Sequence, residues 1–569
     1  VMTMEGGSLL VSEEFWLIAG TSKGRAILEM HDGLLEIGTE LRIGGWGSRG
    51  GHVQLDGGTI RAGALTLREN GSINIRSDGK LILDSDVSVS IQEAVDAGMV
   101  MAYNGTGQVR IEYDSNEDKT IASAQMLSKE ASVKVKVDRY SSWSADRLLW
   151  GRFFEHHGSD VYPGIYEQYL VNTSFEPWYH KDENSPTPVK DVKEWLVFGD
   201  VEETEGVAYP WEPFGVESNP LFELSSDSLN SETAQKIVRT MGTGNVPVGV
   251  AQRIMLPDYR TDQYRVRLFV KAEETVEQIE ILLRDYGTKE IVDSVSFPVS
   301  SQWQPVEGLL NLLGHQASSK RYGRQGIYEL AVVTPDPGIL LLDQMTVFPT
   351  DAVNGCYNPE TIEVLRDAGV TTIRWPGGNF ASGYHWQDGI GPVDQRPTRP
   401  NLAWAGLENN HVGTDEFLEF CEIAGLTPII CVGFGYASVS EAAAWVEYVN
   451  GCPETTYYGA LRAQNGRYDP YAIEIWQVGN EVYGSYQIGH TDAADYATRY
   501  LDYYDAMKAA DPTIKVMAMG RDPGYHTDDE NAWNKTLFQI IGDKMDIMDI
   551  HRYVRGIRNE SDLELWDLT

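Results

Sequence analysis

The sequence has little cysteine, and its cysteines show no metal-binding spacing. Only four cysteines occur in 569 residues, Cys356, Cys421, Cys431 and Cys452, and no two of them form a C-x-x-C pair. A zinc site or a dithiol redox motif is therefore unsupported, and no disulfide can be assigned. Cys431 lies in the apolar run IICVGF, where we expect a small buried side chain.

Basic residues are scarce as well. Lysine and arginine total 46 against 84 aspartates and glutamates, so the formal net charge is −38. This charge argues against nucleic acid and anionic membranes as partners, because both are bound through basic surfaces. Neutral ligands such as sugars stay compatible with it, and solubility alone accounts for the acidity.

Long apolar runs and nucleotide-binding motifs are missing too. No stretch reaches the roughly 18 apolar residues that span a bilayer. The start, VMTMEGGSLLVSEEFW, lacks the basic-then-apolar layout of a signal peptide and begins inside a β-like pattern, so we expect the natural N-terminus upstream. No GxGxxG or P-loop follows a predicted strand, which leaves a nucleotide site unsupported.

Two all-β regions precede the last part of the chain. Residues 1–130 repeat short alternating runs separated by Asp-Gly and Asn-Gly turns, which predicts a β-solenoid or a β-meander. A spacer or adhesive module and a plain β-domain both fit that pattern. Residues 171–350 read as alternating strands eight to twelve residues apart, which is typical of a β-sandwich.

From residue 351 onward, strands alternate with helices. The predicted strands are TTIRWPG, TPIICVGFG, EIWQVGNE, TIKVMAMG and MDIMDIHRY, and a further isolated strand lies upstream in RLLWGRFFEHHG. This alternation predicts parallel βα units, in a barrel or in a doubly wound sheet. In both folds the chemistry lies at the C-terminal ends of the strands.

Polar residues collect at four of these strand ends. They are Glu155 with two histidines, the run Arg374 to Asn379, the pair Asn480-Glu481, and the run His551 to Tyr553. Amides, carboxylates and aromatic rings suit recognition of sugar hydroxyls and sugar faces. Each motif alone is equally compatible with a structural turn, but their combination favours a functional site.

The long runs around these strand ends resemble a known family. RWPGGNFASGYHWQDGIGPVDQRPTRPNLAWAGLENNHVGTDEFLEF, followed by IWQVGNEVYGSYQIGH, resembles the α-L-arabinofuranosidases of glycoside hydrolase family 51, and GRFFEHHG resembles their first barrel strand. The resemblance covers residues 131–170 and 351–569. It implies a (β/α)8 TIM barrel, of which about six strands fit in this chain, with residues 171–350 inserted as a carbohydrate-binding-type sandwich.

The resemblance also implies a retaining mechanism that uses two glutamates. It makes Glu481 the acid/base and Asn480 the residue that orients the sugar 2-hydroxyl. An acid of this kind needs a raised pKa, which we expect from burial or from the charge of the nucleophile. The nucleophile ends the seventh strand in this family, so we expect it beyond Thr569 and expect the chain alone to be inactive or nearly so.

Further roles follow from the same resemblance. Glu155 and Asn379 are expected to bind sugar hydroxyls in the −1 subsite, and Tyr553 is expected close to the nucleophile. Trp404 is a weaker candidate for the leaving-group side, since a buried structural tryptophan fits equally well. No metal or organic cofactor is expected, because neither step of the mechanism needs one.

The predicted substrate is a plant cell-wall polysaccharide, with arabinose released from arabinoxylan or arabinan. A secreted or cell-surface location suits such a substrate. Two alternatives stay open at this point: a family relative with endoglucanase activity, and a carbohydrate-binding or adhesive surface protein whose barrel is degenerate.

Overall fold

The computed structural model describes residues 2–4, 6–17, 25–45, 50–68, 70–105, 107–125, 150–180, 201–240, 246–273, 275–321, 324–522 and 531–552. Within them, the residues up to 125 form one compact unit and residues 150–552 form a second. The four cysteines are unpaired, and Cys431 is fully buried, as its apolar neighbours predict. None of the described helices combines the length and the apolar content needed to cross a membrane.

The first unit consists mainly of parallel strands that alternate between two sheets. Its elements are β1 (Met2–Met4), β2 (Ser8–Val11), β3 (Phe15–Leu17), β4 (Arg25–Met30), β5 (Leu34–Ile43), β6 (Gly50–Leu55), β7 (Thr59–Leu67), β8 (Gly71–Ile75), β9 (Lys80–Asp84), α1 (Ser88–Asp96), β10 (Val100–Ala102), β11 (Gln108–Asp114) and β12 (Lys119–Gln125). One sheet has the order β1-β4-β6-β8-β10, and the other has the order β2-β5-β7-β9-β12-β11, with β3 also paired to β5. The inward-facing leucines and isoleucines of both sheets share one core.

The second unit opens with β13 (Gly151–Phe153) and continues into an antiparallel sandwich. The strands of the sandwich are β14 (Glu212–Phe214), β15 (Leu221–Ser225), β16 (Ala234–Arg239), β17 (Val248–Leu256), β18 (Gln263–Glu273), β19 (Gln278–Asp285), β20 (Ile291–Pro298), β21 (Gln304–Asn311), β22 (Lys320–Arg321), β23 (Gln325–Thr334) and β24 (Gly338–Pro349). One sheet has the order β14-β17-β23-β19-β20, with β22 on β23, and the other has the order β15-β16-β24-β18-β21. Alternate residues of these strands face inward and form one core, as the alternating sequence predicts.

The remainder of the unit alternates strands with helices. Its elements are α2 (Pro359–Asp367), β25 (Thr372–Trp375), β26 (Arg399–Pro400), β27 (Leu407–Glu408), α3 (Thr414–Ala424), β28 (Thr427–Val432), α4 (Val439–Asn450), α5 (Tyr457–Gln464), β29 (Ile475–Val478), α6 (Ala493–Ala510), β30 (Lys515–Met519), α7 (Asn531–Ile541) and β31 (Ile547–Asp549). Several helices begin at a side-chain cap; Asn358 caps α2 and Asp492 caps α6.

One six-stranded parallel sheet organises this part of the unit. Its order, β13-β25-β28-β29-β30-β31, follows the order of the strands along the chain. Consecutive strands that pair in parallel, with helices between them, are the pattern of a TIM barrel. The architecture is therefore a partial TIM barrel accompanied by further β domains, and the sandwich strands lie between the first and second barrel strands in the chain.

The sandwich and the barrel contact each other through polar side chains. Arg267 of β18 pairs with Asp394 in the loop after β25, at 2.8 Å. The Asn230 side chain donates to the carbonyl of Arg396 in the same loop, at 2.6 Å. The Arg260 guanidinium also contacts both carboxylate oxygens of Glu167, each at 2.7 Å. The first two contacts hold the loop between β25 and α3 against the sandwich, and the third holds the segment that follows β13.

Candidate active site

The predicted site residues come together at one edge of the parallel sheet. Glu155 follows β13, Asn379 follows β25, and Asn480 and Glu481 follow β29. Because all six strands run in the same direction, these side chains share the C-terminal edge. The described strand ends that the sequence analysis singled out therefore lie together and form one candidate site.

Glu481 is buried and held by two hydrogen bonds. His551 Nδ1 lies 2.8 Å from one carboxylate oxygen, and the Tyr486 hydroxyl donates to the other at 2.8 Å. The backbone of Glu481 has φ of 45°, in the left-handed region that non-glycine residues seldom adopt. Strain of this kind persists where the surroundings enforce it, which is common at functional sites.

The pKa of Glu481 lies below its usual value. Burial acts to raise this pKa, but the hydrogen bond and positive charge of His551, together with the Tyr486 hydroxyl, outweigh burial. This direction is opposite to the raised pKa that we expected from the sequence. The expectation was wrong for the described residues because a cation, rather than a second carboxylate, contacts Glu481.

His551 is that cation, and two carboxylates stabilise it. Burial lowers its pKa, but hydrogen bonds to Asp549 and Glu481 raise the pKa to about 9. His551 Nε2 lies 2.8 Å from Asp549, so the imidazolium donates one N–H to each acid. Asp549 also accepts from Gln477 at 2.7 Å. Glu481 therefore belongs to a charged hydrogen-bond network that spans β29 and β31.

A second network fixes the amide of Asn480. Its Oδ1 accepts from both terminal nitrogens of Arg374, at 3.2 and 2.9 Å. Since Oδ1 is the acceptor, Nδ2 is left as the donor, and it lies 3.5 Å from Oδ1 of Asn379. Arg374 also donates to the carbonyl of Gly377 at 3.2 Å. The amide of Asn480 is thus oriented before any ligand binds.

The backbone of two consecutive glycines packs closely against the Glu155 side chain. Its Oε1 accepts from the backbone N–H of Phe380 at 2.8 Å. A Cβ at Gly377, where φ is +104°, would lie 2.4 Å from the Cβ of Glu155, and one at Gly378 would lie 3.1 Å from its Oε2. The two glycines therefore permit this close approach. Burial raises the pKa of Glu155, although the Phe380 N–H and the nearby Trp404 indole oppose it.

A buried network beneath Glu155 ties the first two strand ends together. The indole N–H of Trp375 donates to His156 Nε2 at 2.9 Å, so His156 must carry its proton on Nδ1. That Nδ1–H donates to Glu408 at 2.6 Å, and Glu408 accepts from the Tyr162 hydroxyl at 2.9 Å. Burial acts to raise the pKa of Glu408, but its electrostatic contact with His156 and the hydrogen bonds to His156 and Tyr162 lower it.

Two predicted site residues remain, Trp404 and Tyr553. Trp404 is half-buried, and its ring packs on His157 with a centroid separation of 4.2 Å. Tyr553 lies outside the described residues. Sequence reasoning missed Tyr486, Gln477 and Asp549 as site residues, and it did not assign the histidine or the arginine at the strand ends to a role.

The described residues contain no cluster of three or more histidines, cysteines, aspartates or glutamates that would hold a metal ion. The site therefore offers hydrogen bonds, one guanidinium and one imidazolium to a ligand.

Comparison with known proteins finds relatives of the barrel region. Residues 364–568 match the family model described as Alpha-L-arabinofuranosidase 1 domain. The probable alpha-L-arabinofuranosidase C of Aspergillus clavatus is 45% identical over 187 residues, which are 33% of this chain and 35% of that protein. The intracellular exo-alpha-(1->5)-L-arabinofuranosidase of Streptomyces lividans is 37% identical over 207 residues, which are 36% of this chain and 31% of that protein.

The barrel region is therefore similar in sequence to α-L-arabinofuranosidases. A solved structure, that of the arabinose-bound MgGH51 α-L-arabinofuranosidase, matches this chain with a TM-score of 0.56. It covers 73% of this chain and 63% of its own, at 19% identity, so this likeness bears on the fold alone. The chain spans about a third of the length of the curated relatives it matches.

Proposed function

We propose that the protein of which this chain is part is a retaining α-L-arabinofuranosidase with Glu481 as its acid/base. The observation that carries the proposal is the convergence of Glu481, Asn480, Asn379 and Glu155 at one sheet edge, in a region of family 51 sequence. Its proposed substrates are the arabinose side chains of arabinoxylan or arabinan.

The geometry supports distinct roles for these residues. Glu481 protonates the oxygen of the leaving group in the first step and removes a proton from water in the second. Asn480, whose Nδ2 is left as a donor, bonds the sugar 2-hydroxyl. Glu155 and Asn379 accept from the other hydroxyls of the same ring. We place Tyr553 near the nucleophile only because the sequence around it resembles that of the family 51 enzymes.

The nucleophile belongs to no described residue in this proposal. We assign Asp549 to holding His551 rather than to the nucleophile, since Gln477 and His551 both bond its Oδ2. A further carboxylate close to Glu481 would raise the pKa of Glu481 through repulsion between like charges. Such a residue would therefore supply both the covalent step and the protonated state that a general acid needs.

An assay of the complete protein on two substrates tests the proposal. We expect turnover of 4-nitrophenyl α-L-arabinofuranoside and none of soluble β-glucan. Turnover of glucan alone would replace the proposal with endoglucanase activity, and binding of sugars without any turnover would favour a degenerate barrel.

The pH profile of the complete enzyme should respond to His551. Replacing His551 with glutamine removes the cation that lowers the pKa of Glu481. Loss of an adjacent opposite charge shifts the pKa of a carboxyl group upward. Because Glu481 must be protonated to act as an acid, the alkaline limb of kcat/KM should move to higher pH.

The measurement is kcat/KM against pH for both enzymes on the same substrate. His490→Gln is the matched control, since His490 lies in the segment after β29 and bonds the Val482 carbonyl rather than Glu481. An alkaline limb that stays in place or moves to lower pH in His551→Gln would show that the imidazolium does not set the pKa of the acid.

The other two regions are proposed to be accessory modules. We propose that the sandwich is of carbohydrate-binding type, on the strength of its two antiparallel sheets and its place between barrel strands. We propose that residues 1–130 form a solenoid-type spacer, since their parallel strands alternate between two sheets. Secretion or surface display would suit polysaccharide substrates, although one relative is named intracellular.

A further inference from the structure

The two carboxylate oxygens of Glu481 face different surroundings. Oε1 contacts His551, whose side chain is 17% exposed, at the end of β31. Oε2 accepts a hydrogen bond from the hydroxyl of Tyr486, which is 37% exposed. Oε1 therefore faces the buried charged network, whereas Oε2 faces the more open side of the site, from which the oxygen of a leaving group would approach.

The turn after β29 brings Tyr486 back onto Glu481. The backbone N–H of Gly484 donates to the Glu481 carbonyl at 2.8 Å, and that of Gln487 donates to the Gly484 carbonyl at 3.0 Å. A Cβ at Gly484 would lie 2.4 Å from Cζ of Tyr486, so the glycine leaves room for the ring. Gln487 is 5% exposed and its side chain donates to the Ser382 hydroxyl, which ties the turn to the loop after β25. The turn therefore fixes the Tyr486 hydroxyl beside Glu481.

These surroundings decide which oxygen of Glu481 carries a proton. The imidazolium of His551, which Asp549 holds on the other side of the ring, donates to Oε1, and a positive charge disfavours protonation of the oxygen next to it. Arg374 is a second cation that acts on Glu481, and it also favours the ionised carboxylate. The Tyr486 hydroxyl is neutral and can donate or accept a hydrogen bond. A proton bound to Glu481 therefore lies on Oε2.

We infer that Tyr486 is a positioning residue for the acid/base, which keeps the transferable proton on Oε2 of Glu481 and stabilises the carboxylate that remains when the proton leaves. The inference rests on the proposed function, because it takes Glu481 as the acid/base. In the first step, the proton on Oε2 passes to the leaving oxygen, the bond between that oxygen and the sugar carbon breaks, and the nucleophile bonds the carbon. In the second step, water bonds the same carbon, the nucleophile leaves, and Oε2 takes a proton from the water.

The Tyr486 hydroxyl acts in opposite directions on the two steps. A hydrogen bond to the ionised form of a carboxyl group lowers its pKa, which makes Glu481 a stronger acid and a weaker base. The hydrogen bond therefore favours the first step, in which a weakly acidic sugar hydroxyl must leave. It opposes the removal of a proton from water in the second step.

Tyr486→Phe in the complete enzyme tests this role. Phenylalanine keeps the ring and removes the hydrogen bond, so kcat/KM on arabinan or arabinoxylan should fall by about tenfold, the order expected for one hydrogen bond to a charged group. On 4-nitrophenyl α-L-arabinofuranoside, whose leaving group needs little protonation, kcat should stay the same or rise, because the second step gains a stronger base. The alkaline limb of kcat/KM should move to higher pH, because the pKa of Glu481 rises without the hydroxyl.

Gly484→Ala gives a second route to the same result, because its Cβ displaces the Tyr486 ring and leaves the tyrosine in the chain. It should lower kcat/KM on polysaccharide and move the alkaline limb in the same direction. Tyr483→Phe is the matched control, since Tyr483 lies in the same turn but packs its ring on Trp533 of α7, with centroids 5.7 Å apart. That variant should leave the rates within about twofold and the alkaline limb in place.

The background Glu481→Gln separates a positioning role from a structural one. If Tyr486 acts through Glu481, adding Tyr486→Phe to Glu481→Gln should change the rate on the aryl substrate by less than about twofold. Equal losses in the two backgrounds, or equal losses on polysaccharide and aryl substrate, would show that Tyr486 only maintains the turn and would overturn the inference. An alkaline limb that stays in place in Tyr486→Phe would overturn it too. A complete enzyme that turns over neither substrate would instead contradict the proposed function, and this role with it.

Discussion

Glutamine at position 481 should reduce kcat/KM of the complete protein on arabinan or arabinoxylan by about 10²- to 10⁴-fold, the range expected for loss of a general acid. The carboxylate of Glu481 ends β29, is buried, and is held by His551 and Tyr486 on its two oxygens. Glutamine keeps the shape and one acceptor oxygen but carries no transferable proton. The substitution therefore removes the proton transfer and keeps the packing.

The leaving group provides the diagnostic measurement. An aryl arabinofuranoside with an acidic phenol needs little protonation, so Glu481→Gln should retain much of its first step on that substrate. The second step should slow, because no base is left to activate water, and a glycosyl-enzyme intermediate should accumulate as a burst of released phenol. Added azide, which needs no base, should restore turnover and yield an arabinosyl azide.

Glu474→Gln is the matched control for this substitution. Glu474 immediately precedes β29, is exposed, and pairs with Lys515 at 2.7 Å, at the end of the strand opposite Glu481. It should leave kcat/KM within about twofold of the unchanged enzyme, as surface substitutions generally do. A loss below tenfold in Glu481→Gln on polysaccharide, or equal losses in the two variants, would remove Glu481 from the acid/base role.

Much of the site was predictable because the fold concentrates it at strand ends. Each barrel strand ends in the sequence at an abrupt change from apolar to polar residues, as at Asn480-Glu481 and at the WPGGN run. The C-terminal ends of parallel strands lie at one edge of the sheet, however many residues separate the strands in the chain. For this reason Glu155 and Glu481 are brought together although the whole sandwich separates them in the chain.

The network around Glu481 was not predictable in the same way. Gln477 and Asp549 lie within β29 and β31, where each reads as one polar residue in an apolar run. Only the register of the strands brings Gln477, Asp549 and His551 into contact. Tyr486 contacts Glu481 through a turn five residues later, and nothing in its local sequence distinguishes it from other surface tyrosines.

The direction of the pKa shift at Glu481 was not predictable from the sequence either. Burial and a carboxylate neighbour both raise the pKa of an acid, whereas an imidazolium neighbour lowers it. Sequence patterns predict that Glu481 is buried at a strand end, but the sign of its pKa shift depends on which charge lies within a few ångströms. His551 was visible at a strand end, yet its contact with Glu481 is a property of the folded sheet.

Removal of the Asn480 side chain should cost the complete enzyme about 10²- to 10³-fold in kcat/KM. Hydrogen bonds to the sugar 2-hydroxyl strengthen in the transition state of such reactions and supply several kcal/mol, and each 1.36 kcal/mol corresponds to a factor of about ten in rate. Because the bond is stronger in the transition state than in the bound substrate, Asn480→Ala should lower kcat more than it raises KM.

A substrate without the 2-hydroxyl separates this role from a structural one. Asn480 also accepts two hydrogen bonds from Arg374, so its loss frees a guanidinium beside Asn379 and risks displacing both side chains. If Asn480 acts on the 2-hydroxyl, the 2-deoxy substrate and Asn480→Ala remove the same interaction, and their combination should cost little more than either alone. If Asn480 acts only by holding Arg374, the two losses are independent and should multiply.

Asn480→Asp gives a second test, because it preserves the acceptor for Arg374 but lacks the Nδ2 donor. If Asn480 only holds Arg374, this variant should be almost fully active. The proposed role requires it to be as impaired as the alanine variant.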